Sequence, residues 1–115
     1  MLILKTPDTV APNSILLQIR GGLSSRIDAD LLEYLSQWSW FPLKSAASIY
    51  VCTRRIIAGK TFTIRMHRLI THCPDWMKVH HINHDTFDNR RDNLQIITER
   101  EHRHFDGWHI FKHQA

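Results

Sequence analysis

The most constraining feature of this chain is the segment 77–102, which joins two strand patterns to the start of a helix. Residues 77–81 have the mixture of apolar and long side chains that is typical of a short strand, and residues 85–92 are rich in residues that form turns. A second strand is predicted at residues 94–97. Thr98 and Glu101 then have the spacing of a capping box, which marks the beginning of a helix. The predicted order is therefore strand, loop, strand, helix.

Histidines lie on both the first strand and the helix of this unit. His80 and His81 are on the strand, and His102 falls in the first turn or so of the predicted helix. Consecutive strand residues point to opposite faces of a sheet, so His80 and His81 do not easily bind the same ion. The pattern therefore favours one metal ligand and one general base on the strand, with an ion held between the strand and the helix.

The segment resembles the HNH nuclease motif, and within it the phage-encoded homing and nicking endonucleases. About 35 contiguous residues fit the pattern, which is a strong signal for a motif. The matching residues are His67-Arg-Leu69, Val79-His-His-Ile-Asn83, Asp88-Asn-Arg-Arg91, Asn93-Leu94, Thr98 and His102. The resemblance implies an α+β fold, in which a ββα-metal module is preceded by a small antiparallel β-sheet lobe with a short helix.

The resemblance also implies a role for each matched residue. His81 takes the place of the general base that activates the attacking water, and His80 takes the place of a metal ligand. Asn93 matches the residue that holds the loop and orients the base. His102 matches the second metal ligand. The implied reaction is hydrolysis of DNA that leaves 5′-phosphate and 3′-hydroxyl ends, by nicking or by double-strand cleavage.

This division of roles agrees with the chemistry of phosphodiester hydrolysis. The reaction needs an in-line water, a group that takes its proton, and positive charge near the departing oxygen. Histidine titrates near neutral pH, so His81 can act as an unprotonated base. One divalent ion is expected, and Mg, Mn, Ni and Zn all stay open because imidazole and oxygen ligands favour different metals. His104 and Asp106 are possible additional ligands.

Other interpretations of the same residues remain open. The four histidines His80, His81, His84 and His102 can instead form a closed structural zinc site without catalysis. The chain would then be a non-catalytic DNA-binding protein. A ribonuclease is a third alternative. His84, in the loop, is expected near solvent or a phosphate rather than in the metal shell.

The charge distribution favours a polyanionic partner. The sequence carries a net charge of +4, and residues 34–74 contain six Lys and Arg residues but no Asp or Glu. Cations that neutralise phosphates release counterions, so such a lobe suits double-stranded DNA, although a merely soluble basic surface has the same composition. The predicted DNA-binding residues are Arg54, Arg55, Arg65, Arg68, Arg90 and Arg91.

The residues before the HNH-like segment predict a β-rich lobe. Gly21-Gly22 is expected to join two strands as a hairpin, and residues 28–38 have the pattern of an amphipathic helix. Three further strands between residues 40 and 66 predict an antiparallel sheet, on one face of which the three arginines Arg54, Arg55 and Arg65 can lie. We expect a basic lobe at residues 1–66 and the nuclease module at residues 67–115. Residues 67–73 are predicted to form a short helix, and Trp76 is expected in the core.

Length and composition set the remaining expectations. A chain of 115 residues is one domain or two very small lobes, and no apolar run approaches the length of a membrane span. No signal peptide is expected. Cys52 and Cys73 do not form a CxxC pair and are expected to be reduced thiols. We therefore predict a cytoplasmic protein without a membrane partner. The resemblance implies that a phage or prophage encodes it and that it acts in a bacterial host cell, as a monomer or a homodimer.

Overall fold

The computed structural model describes the backbone of residues 3–7 and the full structure of residues 13–101. The elements are β1 (Ile3–Pro7), β2 (Ser14–Gln18), β3 (Ser24–Asp28), α1 (Leu32–Leu35), β4 (Phe41–Ser45), β5 (Ser48–Ile57), β6 (Lys60–Arg65), α2 (Met66–Thr71), β7 (Met77–His81) and β8 (Leu94–Thr98). Within the described ranges, these strands form three antiparallel sheets, ordered β1-β2-β3, β4-β5-β6 and β7-β8. Single 3-10 turns at Ala29–Leu31 and Arg91–Asn93 precede α1 and β8.

The predicted hairpin at Gly21-Gly22 is confirmed. Strands β2 and β3 pair in antiparallel register on either side of the two glycines. Gly21 and Gly22 have φ angles of 87° and 74°, in a region that side chains with a Cβ rarely occupy. The alternation of the strands places Ile15, Leu17 and Ile27 in the core.

The amphipathic helix predicted at residues 28–38 is shorter than expected. A 3-10 turn at Ala29–Leu31 leads into one turn of α-helix at Leu32–Leu35. Asp28 occupies the N-cap position, but its carboxylate makes no capping hydrogen bond and accepts instead from the backbone N–H of Arg91, at 2.8 Å. A tertiary contact has therefore replaced the local cap. Leu35 is fully buried, as the apolar face of the pattern predicted.

The predicted three-stranded sheet is confirmed as β4-β5-β6. Residues that pair across antiparallel strands lie on the same face, and so do residues two apart on one strand. Val51 and Thr53 of β5 are buried on the face that packs on the rest of the protein, where the hydroxyl of Thr53 donates to the carbonyl of Ser39. Tyr50, Cys52 and Arg54 lie on the opposite face.

One hydrophobic core crosses the predicted boundary at residue 66. Side chains from the first sheet, from α1 and from β5 pack with Met66 of α2, and Leu69, Ile70 and Phe87 cover the cluster. The fully buried members include Leu17, Ile27, Leu35 and Met66. The division of the chain into a lobe at residues 1–66 and a nuclease module at residues 67–115 stays a prediction. In the structure, side chains from both ranges pack in the same core.

Strand β3 also pairs with the loop between β7 and β8. The backbone N–H of Arg26 donates to the carbonyl of Phe87, and the N–H of Asn89 donates to the carbonyl of Arg26, both at 2.8 Å. These bonds form a parallel bridge between Arg26 and Asp88. The loop of the HNH-like segment is therefore held by backbone hydrogen bonds from the first sheet.

The strands of the HNH-like segment agree with the prediction. β7 and β8 pair antiparallel, with His80 opposite Gln95 and His81 opposite Leu94. The capping box is confirmed: the Thr98 N–H donates to the Glu101 carboxylate, and the Glu101 N–H donates to the Thr98 hydroxyl, both at 3.0 Å. Residues 99–101 are helical. The rest of the predicted helix lies outside the described residues, so the ββα-metal arrangement stays a prediction.

Further features expected from the sequence can be compared with the structure. The short helix predicted at residues 67–73 is confirmed as α2, whereas the placement of Trp76 in the core is wrong. Trp76 is 78% exposed, because the segment between α2 and β7 runs over the surface. Both cysteines are free thiols, as expected. In residues 3–7 and 13–101, no helix is long and apolar enough to cross a membrane.

Candidate active site

A cleft opens where the end of β7 and the loop after it face strand β5. His80 and His81 contribute from β7, and His84 and Thr86 contribute from the loop. Ser48 and Tyr50 line the opposite side, from β5. The Thr86 hydroxyl donates to the carbonyl of Ile49, which joins the loop to β5. The structure thus brings both strand histidines to one cleft, although they are consecutive in β7.

His81 is buried at the base of this cleft and hydrogen-bonded. Its Nε2 lies 3.0 Å from Oδ1 of Asn89. Burial lowers the pKa of His81, although the Asn89 hydrogen bond and the charges of Asp85 and Asp88 act in the opposite direction. The imidazole is therefore neutral at neutral pH, which is the form that a general base requires.

The neighbours of Asn89 determine which nitrogen of His81 carries the proton. Nδ2 of Asn89 donates to the hydroxyl of Ser25 at 2.9 Å and points to the carbonyl of Thr86 at 3.4 Å. A carbonyl can only accept, so the amide nitrogen faces Thr86 and Oδ1 faces His81. Nε2 of His81 must then donate, and Nδ1 is left as the unprotonated nitrogen.

Asn93 holds the loop after β7 in the way that the resemblance implied. Its Oδ1 accepts from the backbone N–H of Asn83 at 2.9 Å, and its Nδ2 donates to Oδ1 of Asn83 and to the carbonyl of Asp88. The side chain is buried. The asparagine that contacts the ring of His81 is Asn89. The role of Asn93 in orienting a general base stays a prediction.

A buried carboxylate lies beneath this loop. Asp88 is fully buried and accepts two hydrogen bonds from the guanidinium of Arg90, at 2.8 and 2.7 Å, and one from Asn83 at 2.9 Å. Burial alone would raise the pKa of Asp88, but these hydrogen bonds outweigh it and hold the pKa below its ordinary value. Arg26 lies 3.8 Å from the same carboxylate. Asp88 is therefore an ionised centre of the loop.

A second histidine packs behind His81. The ring centre of His67 lies 5.0 Å from that of His81 and 5.2 Å from that of Tyr50. His67 is 4% exposed, and burial lowers its pKa to about 3, with a further contribution from the charges of His81, Arg65 and Arg68. His67 is therefore neutral, and its position under the cleft is that of a packing residue.

Two of the three arginines that were predicted to share one face of the second sheet do so. Arg65 pairs with Cys52, which lies on the same face of β5 as Arg54, so the side chains of Arg54 and Arg65 share a face. Their guanidinium groups lie over the rings of Phe41 and Tyr50, at 4.5 and 4.6 Å from the ring centres. This surface adjoins the cleft through Tyr50.

Arg55 lies on the other face of the sheet, so the prediction that Arg54, Arg55 and Arg65 share one face is wrong for Arg55. Adjacent residues of a strand point in opposite directions, so Arg54 and Arg55 cannot both join Arg65. The guanidinium of Arg55 is 5.2 Å from the ring centre of Trp38. It therefore packs on the helix side of the sheet.

The three remaining predicted DNA contacts make hydrogen bonds within the protein. Arg68 donates to the carbonyls of Pro74 and Met77, and Arg90 is bound to Asp88. Both NH groups of the exposed Arg91 donate to the carboxylate of Asp30, at 3.0 Å each. These contacts brace the turn before β7 and join the loop after β7 to the 3-10 turn at Ala29–Leu31.

Two of the histidines that line the cleft have neighbouring rings. His80 is half-buried and His84 exposed, and their ring centres lie 5.3 Å apart. Imidazole nitrogen is a ligand for zinc, nickel and copper, whereas magnesium prefers oxygen. The described ranges hold no cluster of three or more His, Cys, Asp and Glu side chains that could bind a metal. His102, His104 and Asp106 lie outside those ranges.

Sequence reasoning missed several residues of the site. Asn89 stands in the Asp88-Asn-Arg-Arg91 run that matches the motif, so its place in the pattern was the available signal. Ser25 and Tyr50 carry no such signal, because they reach the site from distant strands. His84 was expected near solvent or a phosphate, and it is exposed; the contact of its ring with that of His80 was not predicted.

Comparison with known proteins agrees with this geometry. Residues 66–104 match the family model described as HNH endonuclease. Neither the curated proteins nor the solved structures give a match. The matched range contains α2, β7, the loop and β8, and with them His67, His80, His81 and Asn93. The segment 66–104 therefore belongs to the HNH endonuclease family.

Proposed function

We propose that this protein is a metal-dependent endonuclease that hydrolyses phosphodiester bonds of double-stranded DNA. The observation that carries the proposal is His81, a neutral imidazole in the cleft whose Nε2 donates to Asn89, within a segment of the HNH family. An imidazole whose Nδ1 is the unprotonated nitrogen is suited to accept a proton from water at that atom.

In the proposed reaction, Nδ1 of His81 takes a proton from the water that attacks phosphorus. Asn89 keeps the ring oriented and supports the imidazolium that forms, because its Oδ1 accepts from Nε2. The phosphorus–3′ oxygen bond breaks and the departing oxygen takes a proton from a solvent water, which gives 5′-phosphate and 3′-hydroxyl ends. A divalent ion held by His80, and by His102 as predicted from the sequence, would supply positive charge to the phosphate and the leaving oxygen.

The surface next to the cleft supports DNA as the substrate. Arg54 and Arg65 lie on the face of β5 and β6 that carries Tyr50, a lining residue of the cleft. Guanidinium groups there can contact phosphates on the strand that enters the cleft. Phage or prophage origin, a cytoplasmic location in a bacterial host and a monomeric or dimeric state are predictions from the resemblance.

The test is incubation of the purified chain with supercoiled plasmid and Mg²⁺, Mn²⁺, Ni²⁺ or Zn²⁺. The wild-type protein should nick or linearise the plasmid with at least one of these ions. His81→Ala should lower the cleavage rate by about 10²- to 10⁴-fold, the usual effect of losing a general base. His72→Gly is the matched control, because His72 is exposed at the end of α2 and has a φ of 54° that glycine accepts.

Two outcomes would favour the alternatives. DNA that is bound but never cut, with any of the four ions, would indicate a non-catalytic DNA-binding protein with a structural metal site. Cleavage of RNA in preference to DNA, with the same dependence on His81, would indicate a ribonuclease.

A further inference from the structure

The turn that follows β7 brings a third histidine back to the cleft. The backbone N–H of His84 donates to the carbonyl of His81 at 2.9 Å, which closes the turn. His84 adopts a φ of 66°, in the left-handed region that non-glycine residues seldom occupy. This conformation returns the loop toward the strand it has just left, and His84 lines the same cleft as His80.

The spacing of the two rings fits a shared ion. The ring centres of His80 and His84 are 5.3 Å apart, and the ring planes are inclined at 79°. Two imidazoles that bind one tetrahedral ion, with metal–nitrogen bonds of about 2 Å, have ring centres roughly 5 Å apart. The observed separation of the ring centres therefore matches that of a two-histidine site.

The surroundings of the pair suit a cation with open positions. The cleft is lined by the hydroxyl-bearing side chains of Ser48, Tyr50 and Thr86 beside the histidines. Two protein ligands leave room for further protein donors, for water and for a phosphate oxygen, as in catalytic rather than closed sites. Nε2 of His81 is hydrogen-bonded to Asn89, so this nitrogen is not a ligand of the ion and the proposed base is distinct from the ion-binding pair.

We propose that His84 is a metal ligand and binds the same divalent ion as His80. The inference deepens the proposed function, since this is the ion that hydrolysis would use, and it assigns the ligand to a residue that the motif does not include. A pair of imidazoles selects zinc, nickel or cobalt over magnesium. Loss of one ligand should weaken binding of such an ion far more than binding of magnesium.

The experiment measures metal binding directly, in the absence of DNA. Zn²⁺ and Ni²⁺ are titrated by isothermal calorimetry into the untagged full chain, its His84→Gly and His80→Ala variants, and a His72→Gly control. Glycine is chosen at His84 and His72 because it accepts the left-handed backbone of these two positions, so that each substitution removes the side chain without straining the backbone. Thermal unfolding followed by circular dichroism establishes that each variant is folded.

We expect His84→Gly and His80→Ala each to raise the Kd for Zn²⁺ by at least about tenfold, with His72→Gly unchanged. Co²⁺ absorption spectra should show one fewer nitrogen ligand in His84→Gly than in wild type. The proposal would be overturned if His84→Gly bound zinc as tightly as the wild-type chain, or if the wild-type chain bound no zinc. The contact between the rings of His80 and His84 would then be a packing contact only. Plasmid cleavage is assayed separately, so that a chain that binds zinc through His84 yet cuts no DNA would refute only the proposed function.

Discussion

Nε2 of His81 lies 3.0 Å from Oδ1 of Asn89. The side-chain amide of Asn89 also donates, through Nδ2, to the hydroxyl of Ser25. The three residues connect the base of the cleft to strand β3 of the first sheet. Since His81 and Asn89 are buried, the hydrogen bonds are shielded from competing water. The ring orientation of the proposed base is therefore set by a strand far away in the sequence.

Replacing Asn89 should impair chemistry rather than DNA binding. Asn89→Ala removes the acceptor that orients the His81 ring, and we expect the single-turnover cleavage rate to fall by about 10- to 100-fold. The Kd for duplex DNA, measured by fluorescence anisotropy, should stay unchanged. Asn89→Asp keeps an oxygen opposite Nε2 and should retain more activity than alanine. Equal cleavage rates for wild type and Asn89→Ala would contradict the positioning role.

Removal of the buried carboxylate of the loop should destabilise the fold. Asp88→Ala leaves the guanidinium of Arg90 without its bidentate partner and should lower the free energy of unfolding by about 3 to 5 kcal/mol. Urea denaturation followed by circular dichroism measures this change. Asp75→Ala, at an exposed position, is the control and should change stability little. A loss below about 1 kcal/mol for Asp88→Ala would show that the ion pair is not a main support of the loop.

Burial of His67 should make the protein sensitive to acid. The pKa of His67 is lowered to about 3, below the ordinary value of 6.5. As the pH falls, the His67 side chain is protonated in the unfolded state before it is protonated in the folded state. The stability that the neutral His67 allows is therefore full above about pH 6.5 and is lost as the pH falls toward 3. At pH 4.5 the loss should be about 2 to 3 kcal/mol.

The comparison of wild type with His67→Phe isolates this contribution. Phenylalanine keeps a ring against Tyr50 and His81 but cannot take up a proton, so the variant should lose less free energy of unfolding between pH 7 and pH 4.5. Urea denaturation at the two pH values gives the difference. The same pH dependence in both proteins would mean that His67 is not the group that binds the proton.

The two faces of the second sheet should differ in their effect on DNA binding. Arg54→Ala and Arg65→Ala should each reduce the slope of log K against log salt concentration by roughly 1, if each side chain neutralises one phosphate. Arg55→Ala is a matched control, since Arg55 is the chain neighbour of Arg54 but lies on the opposite face. Anisotropy titrations at several salt concentrations measure the slopes. If Arg55→Ala reduced the slope as much as Arg54→Ala does, the proposal that DNA contacts the face of Arg54 and Arg65 would be contradicted.

Local elements were predictable because they depend on short-range chemistry. The Gly21-Gly22 hairpin, the strands of the HNH-like segment and the capping box of Thr98 and Glu101 all follow from neighbouring residues. The motif spacing also identified His80, His81 and Asn93 as parts of one unit. The helix predicted from Asp28 onward begins without a side-chain cap, because the carboxylate of Asp28 accepts from the distant backbone N–H of Arg91.

The sequence by itself thus determined the order of the elements, the family of residues 66–104 and the identity of the proposed base. Only the tertiary structure decided which asparagine contacts that base, which arginines flank the cleft and where His84 lies. The physical reason is that pattern and propensity act over a few residues. The partner of a buried polar group, in contrast, is whichever chain segment the packing brings within hydrogen-bond distance. For His81, that packing brought strand β3 to the side of the loop.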